Sequence, residues 1–416
     1  MKHLPKSTPT EILNDPYGFT YKEMSEVIGE DKARALYAEL YKQPFHKKNL
    51  SISTKKVYKS SDTEKYVYEL KDNRYIETVF IKRRDGGTVC VSTQVGCSVG
   101  CIFCESGRNG FVRNLTPSEI VQQVILIRQK VNRIVFMGMG EPLFNYDNLI
   151  AAIHILRDRN GLNFPTDGIT VSTVGPVNQL KKLREEHLKI QLTISLHAAT
   201  QAARNCIIPH MHMYAIEDVV KQALSYSQRH NRKVVFAYLL LPGINDRSSD
   251  IRQLAKWFKG KNVMINVLQY NPTSNSKIRA PQKQEMVAFK HQLEQTGLEV
   301  TMRVSHGREI KAACGQFLNS RGEVGFWHDA NHHQPQQQAQ TAPQDERHLQ
   351  VYVSQQCAQH HAQNAADLPH LTAPQEHLVY GFVLFLRGNP RLQSAGDEGI
   401  TATPDNLGQQ NRREPR

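Results

Sequence analysis

Cys97, Cys101 and Cys104 stand in the run Gln94-Val95-Gly96-Cys97-Ser98-Val99-Gly100-Cys101-Ile102-Phe103-Cys104, a C-x-x-x-C-x-x-C spacing on a loop with two glycines. Three thiolates within eight residues can each hold one iron of a 4Fe–4S cluster. The fourth iron then stays open, and an open iron can chelate the amino and carboxylate groups of S-adenosylmethionine (SAM). Zinc is the competing occupant, but it normally takes four protein ligands from paired C-x-x-C units, and no second pair follows here. The remaining reading is three buried thiols brought together by chance. The chain has seven cysteines, no run of about 18 apolar residues and no apolar signal core after Met1-Lys2-His3-Leu4-Pro5. Those features predict a cytoplasmic protein without membrane spans, in which clustered cysteines serve a metal or catalysis rather than disulfides.

The elements that must position this loop are legible as an alternation. Strand-like runs rich in Val, Ile and Thr occur at Thr88–Gln94, Arg133–Gly138, Gly168–Val174, Lys189–His197, Lys233–Leu241, Val263–Tyr270 and Glu299–Val304. Helical patterns fall between them, at Pro117–Gln129, Tyr146–Arg157, Val177–Glu186, Ile216–His230, Ser249–Lys259 and Gln282–Thr296. The first carries its own start signal: Thr116 as cap, Pro117 in the first turn and Glu119 to complete a capping box. Strand–helix alternation argues for an α/β fold on a parallel sheet, open or closed into a barrel, with chemistry at the C-terminal strand ends. The cysteine loop follows the first such strand.

Outside this core the composition shifts. Residues 1–75 read as an N-terminal accessory domain, 76–318 as the core, and 319–416 as a low-complexity, disordered tail. The tail holds 15 Gln and 8 His without periodicity, and no chemistry is expected of it or of Cys357. It also holds seven Arg, no Lys and ten Asp plus Glu, a balance of −3 against +13 for the whole chain, so the preceding 318 residues carry +16. A basic folded body suggests a polyanionic partner. Near the N-terminus Ser25–Tyr41 reads as one amphipathic helix, followed by Lys42, Lys47, Lys48, Lys55, Lys56, Lys82, Arg83 and Arg84. Tyr41, Phe45, Tyr58, Tyr66 and Tyr68 lie among them. This mixture suits RNA, whose phosphates want charge and whose unstacked bases want flat faces, and it equally suits an ordinary basic surface over packed aromatics.

The cysteine spacing is similar to the cluster loop of the radical SAM superfamily, and the other motifs resemble one branch of it, the radical SAM rRNA adenine methyltransferases. That family comprises the dual-specificity rRNA and tRNA adenine carbon-2 methyltransferases and the chloramphenicol–florfenicol resistance methylases. The resemblance runs over about Tyr75 to Leu318. Phe136-Met137-Gly138-Met139-Gly140-Glu141-Pro142 resembles the family's SAM amino-group motif, with Gly140 and Glu141 at its centre. Ser172, the run Ser195-Leu196-His197, and Asn271 resemble its further SAM contacts. Cys314 resembles the methyl-accepting cysteine, Cys90 the resolving cysteine and Glu77 the proton acceptor. Cys206 matches no motif and reads as core.

The resemblance implies a (βα)6-type partial barrel and a 4Fe–4S cluster on Cys97, Cys101 and Cys104. It implies transfer of a methyl group from SAM to carbon 2 or carbon 8 of an adenine, in 23S rRNA and in some relatives tRNA. Those carbons are too weakly nucleophilic to attack SAM, so a first SAM methylates Cys314. A radical from a second SAM activates that methyl for addition to the base, and Cys90 releases the product, leaving a Cys90–Cys314 disulfide. A monomer served by an external one-electron reductant such as flavodoxin is implied as well. The chain departs from relatives at Glu105-Ser106-Gly107 and at His210-Met211-His212-Met213. The alternatives are a radical SAM enzyme acting on a peptide or small molecule, and a zinc-stabilised RNA-binding protein without catalysis.

Overall fold

The structure is a computed structural model, and it describes residues 7–41, 49–108, 110–273, 278–303 and 305–317. The tail expectation for 319–416, and Lys42, Phe45, Lys47 and Lys48, lie outside the described residues. Three helices come first: α1 (Pro9–Asn14), α2 (Tyr21–Ile28) and α3 (Glu30–Tyr41). Capping boxes Thr8–Glu11 and Thr20–Glu23 start α1 and α2. The single helix expected over Ser25–Tyr41 is therefore two, broken at Gly29, whose φ of +83° a helix cannot accommodate.

Three antiparallel strands follow that the sequence pattern did not reveal: β1 (Ile52–Lys59), β2 (Thr63–Leu70) and β3 (Tyr75–Arg83). Residues Tyr66 to Tyr68 of β2 and Ile76 to Ile81 of β3 are buried on both faces, which erases the polar–apolar alternation that marks a half-exposed strand. These strands extend the sheet of the core rather than forming one of their own.

The core then unfolds as β4 (Gly86–Cys90), the short hairpin strands β5 (Gln94–Gly96) and β6 (Phe111–Asn114), α4 (Pro117–Ile125), β7 (Val131–Phe136), α5 (Tyr146–Arg157), β8 (Ile169–Thr173), α6 (Val177–Glu185), β9 (Gln191–Ser195), α7 (Gln201–Ile207), α8 (Ile216–His230), β10 (Val234–Leu240), α9 (Ser248–Phe258), β11 (Val263–Gln269), α10 (Lys283–Gln295) and β12 (Val300–Arg303). β4, β7, β8, β9, β10, β11 and β12 pair in parallel, each with the next. Together with β1–β3 they make one ten-stranded sheet in sequence order. Each crossover carries at least one helix, giving six βα units and an open run from β1 to β12, the partial barrel expected.

The strand expected over Thr88–Gln94 ends at Cys90. Ser92 there is gripped from both sides: its N–H donates to Gln123 Oε1 (2.8 Å) and its hydroxyl to Glu77 O (2.6 Å). The chain turns and restarts as β5, which pairs with β6, so the cysteine loop is the loop of a hairpin. The core fills the space between sheet and helices with Val89, Ile134, Phe136, Val171, Ile194, Phe236 and Ile265, each at most 1% exposed. Cys206, expected in the core, is only half-buried, because Ala202, Ala203 and Ile207 form the inward face of α7. Among the aromatics considered for RNA stacking, Tyr41, Tyr66 and Tyr68 are buried and packed, whereas Lys55, Lys56, Lys82, Arg83 and Arg84 are exposed.

Candidate active site

At the C-terminal ends of the parallel strands lies a cavity of about 220 Å³. It is where a parallel sheet offers unpaired backbone groups and the loops that carry function. Cys97, Cys101 and Cys104 all line it, together with Cys90 from β4 and Cys314 from the loop after β12. Gly140, Glu141, Ser172, Ser195, His197 and Asn271, reaching it from four further strand ends, line it as well. Five thiols and six polar or glycine positions spread over more than 200 residues thus converge on one space. Glu77 and Leu196 are not among the lining residues.

The cluster loop is fastened at both ends and in its middle. Cys97 N donates to Gly110 O (3.0 Å) across the hairpin, and Ile102 N to Ile207 O (3.1 Å) at the end of α7. The His210 ring lies on Gly100, with Nδ1 2.8 Å from Ser98 O. Burial pushes the Cys97 thiol up to about 12 and raises Cys101 and Cys104 as well. Free thiolates are disfavoured in this wall, so a bound cation must supply the positive charge that draws the protons off. Among the described residues no three His, Cys, Asp or Glu close around a single metal ion. Cys97, Cys101 and Cys104 all face one cavity, as three ligands of a single cluster would. The donor set fits the 4Fe–4S group.

Glu141 is 3% exposed. Its Oε1 accepts from the Thr173 hydroxyl (2.6 Å) and Leu143 N (3.0 Å), and its Oε2 from Val174 N (2.9 Å). Burial nevertheless outweighs these donors and lifts its carboxyl to about 7. Gly140 precedes it with φ +97°, and a Cβ there would fall 2.6 Å from Gln94, so only glycine brings the Glu141 turn this close to β5. His197 is held neutral, its pKa lowered to about 3 by burial and then by the Arg204 charge. Its Nδ1 accepts from Leu239 N (3.0 Å), which leaves the proton on Nε2 as a fixed donor. Phe103 of the cluster loop packs edge-on against this ring at 5.0 Å. Ser172 and Ser195 stand 3.4 Å apart, hydroxyl to hydroxyl. Leu196 acts through its backbone: its N–H donates to Ala237 O (3.1 Å) and its carbonyl accepts from Arg204.

The loop of Cys314 is tied to the cluster loop. Glu105 N donates to Gly315 O (2.8 Å) and the Ser106 hydroxyl to Phe317 O (3.1 Å). Gly315 has φ +84°, and a Cβ there would meet Phe103 O at 2.8 Å. Asn271 Nδ2 donates to Cys314 O (3.1 Å), while Asn271 Oδ1 is buried without a hydrogen-bond partner. An orphaned acceptor in the cavity wall is what a ligand donor would satisfy. Cys90 and Cys314 are both free thiols, so the disulfide implied between them is not formed in this structure. Cys90 is 6% exposed and its thiol is raised by burial, then by nearby Cys314; Cys314 is exposed to the cavity and solvent.

Sequence reasoning missed two cations. Arg204 on α7 is 1% exposed and donates to Ser195 O (3.2 Å), Leu196 O (2.6 Å) and Val174 O, capping the ends of β8 and β9. Desolvation lowers its pKa only to about 10, and Cys101 and Glu141 hold it up. Its sequence signal was an Arg amid Ala202, Ala203, Ile207 and Ile208, a cation where the helix should be apolar. Arg303 on β12 lines the cavity and donates to Met137 Sδ (3.5 Å).

Comparison with known proteins places the chain. The Radical SAM superfamily model matches residues 91–258. A "Probable RNA methyltransferase" of Rhodopseudomonas palustris (strain BisB5) is 48% identical over 254 residues, 61% of this chain and 71% of that protein. A "Probable dual-specificity RNA methyltransferase RlmN" of Dictyoglomus turgidum is 36% identical over 347 residues, covering 75% of this chain and all (100%) of that protein. The crystal structure of a radical SAM methyltransferase from Sphaerobacter thermophilus superposes with a TM-score of 0.69 at 31% identity, covering 72% of this chain and 98% of that one. The chain belongs to the radical SAM RNA methyltransferase family that includes the RlmN-named enzymes.

Proposed function

We propose that this protein methylates a ring carbon of an adenine in RNA, carbon 2 or carbon 8, using Cys314 as the methyl carrier and Cys90 as the thiol that frees the product. The observation that carries the reading is the presence of the cluster thiols, Cys90 and Cys314 in the wall of one cavity. When bound, the cluster and its SAM supply one-electron chemistry strong enough to activate a methyl C–H bond. The residues do the rest. Cys314, exposed, is the nucleophile that can take a methyl group from SAM as a thioether. Cys90 is kept protonated by burial and so does not compete for that methyl. Once the carbon is joined to the base, the adduct must lose one electron, which the cluster would accept, and the ring hydrogen as a proton to solvent. Cys90, giving up its proton, then attacks the Cys314 sulfur. The sulfur–carbon bond breaks with its electron pair on the carbon, which takes up a proton to become the methyl group. The two sulfurs are left as a disulfide that an external dithiol reduces.

Glu141 accepts from the SAM ammonium, and Asn271 Oδ1, the Ser172 and Ser195 hydroxyls and His197 Nε2–H provide polar partners around it. Residues 1–75, with exposed Lys55 and Lys56 on β1, serve as the RNA-facing accessory region. The protein works in the cytoplasm as a monomer, fed by a flavodoxin-like one-electron carrier. No helix of the described residues is long and apolar enough to cross a membrane. A radical enzyme acting on a peptide or small molecule would need the cluster but not the paired thiols. The test is the intact mass of the Cys314 peptide after anaerobic incubation with SAM. A gain of one methyl group on Cys314 is expected, and an unmodified Cys314 in a protein that still cleaves SAM would refute the carrier role.

A further inference from the structure

The resemblance assigns Glu77 to accept a proton, yet the structure gives its carboxylate a different neighbour. Glu77 lies on β3 and Lys65 on β2; Lys65 is registered against Val79, so Lys65 and Glu77 are diagonal neighbours on one face of the sheet. Both are buried, at 6% and 2% exposure, and Lys65 Nζ stands 3.2 Å from Glu77 Oε1. The same ammonium donates to Lys311 O (3.4 Å), in the loop that leads to Cys314. It also lies over the Tyr58 ring at 4.9 Å.

The contact falls where the loop needs holding. Lys311 has φ +51°, a left-handed conformation that a residue with a side chain keeps only when its surroundings impose it. The turn that contains it is closed by Lys311 N to Arg308 O (3.1 Å) and Ala312 N to Gly307 O (2.8 Å). It is pressed onto β2 at two points two residues apart, Gly307 against Thr63 and Lys311 O on Lys65. Ala312 and Ala313 then enter the cavity wall and Cys314 follows. A buried lysine needs a buried anion, and it has three donors to share. Glu77 satisfies the charge, which leaves a donor for the carbonyl.

We propose that Lys65 is a positioning residue for Cys314: its ammonium, neutralised by Glu77, anchors the left-handed turn at Lys311 and so sets how Cys314 is presented to the cavity. Glu77 acts through Lys65 and not as an acceptor in contact with substrate. The inference rests on Cys314 as the methyl carrier.

The test compares wild type, Lys65→Met, Lys65→Arg, Glu77→Gln and the double variant Lys65→Met/Glu77→Gln as full-length holoenzymes. Two quantities are read: amide exchange over residues 305–316, and the rate of S-methylation at Cys314. Lys65→Met is expected to speed exchange in that segment and to slow methylation about tenfold, equivalent to ~1.4 kcal/mol of lost positioning. Lys65→Arg, which keeps a cation with several donors, recovers most of the rate. If Lys65→Met alone fails to fold around the buried Glu77 carboxylate, the double variant removes both charges and still lacks the anchor. It too is expected to methylate slowly and exchange fast, and the two single effects will not add. Wild-type exchange and methylation in the double variant would overturn the proposal. So would a Glu77→Gln protein that methylates Cys314 normally and stalls only at RNA release, since that marks a direct acceptor. Failure of the wild type itself to methylate Cys314 refutes the carrier role instead, and exchange over 305–316 still decides the anchor.

Discussion

The two sides of the cavity are built by different means. On one side, Glu141, Ser172, Ser195, His197 and Asn271 sit at or just beyond the ends of parallel strands, where Glu141 and His197 accept from backbone N–H groups of neighbouring strand ends, Val174 N and Leu239 N. On the other side, Cys314 sits on a loop whose carbonyls are held one by one from distant elements: Lys311 by Lys65, Cys314 by Asn271, Gly315 by Glu105 N. The first construction inherits its precision from the sheet. The second can be released contact by contact, which would suit the carrier role proposed for Cys314.

The severest way to break the fixed side is Cys101→Ala. The protein is expected to lose its broad iron–sulfur absorbance and all formation of 5′-deoxyadenosine, because two thiolates cannot hold the cluster with one iron open. A full cluster and normal SAM cleavage in that variant would remove the ligand assignment. The loop side is probed by Cys90→Ala. Iron binding and Cys314 methylation should persist, a single addition to RNA should occur, and the protein should remain covalently joined to its RNA on denaturing gels. Free methylated RNA at the normal rate would show that Cys90 is dispensable. Adding Cys314→Ala to Cys90→Ala should eliminate the adduct.

Two smaller effects sharpen the contrast. Arg204→Met leaves the carbonyls of Val174, Ser195 and Leu196 without their shared donor, and should cost about 3 kcal/mol or more in denaturant unfolding of the apo protein. Stability equal to wild type would mean that the strand ends do not depend on α7. Glu141→Gln concerns pH. The Glu141 carboxyl is raised in the folded state from 4.5 to about 7. Its contribution is therefore complete below pH 4.5 and lost as the pH rises through about 7, a change on the order of 3 kcal/mol at most. Apo wild type should lose stability relative to Glu141→Gln between pH 4.5 and pH 7.5 in denaturant titrations; a parallel pair of curves would show that Glu141 ionises normally.

The local order of the chain was written in its residues. The cysteine spacing, the Thr116–Glu119 capping box and the parallel strand–helix alternation are short-range signals, each set by a few neighbouring side chains. The strand ends near Glu141, Ser172, Ser195, His197 and Asn271 could therefore be read in advance. What stayed hidden was long-range. Strands β2 and β3, buried on both faces over much of their length, carry no alternation. Arg204 stands among apolar helix residues, but which carbonyls it meets is set only when α7 packs on the ends of β8 and β9. Nothing in the local sequence pairs Lys65 with Glu77 or with the Lys311 carbonyl, which reaches Lys65 only in the folded chain. A buried charge is defined by what covers it and which carbonyl it meets, and both lie far away in sequence. The sequence determined that three thiols, a motif for SAM and two further cysteines exist in a parallel α/β frame. Only the folded chain decided that they share one cavity, because they stand on separate strand ends and loops from Cys90 to Cys314 that the pairing of the parallel strands brings together.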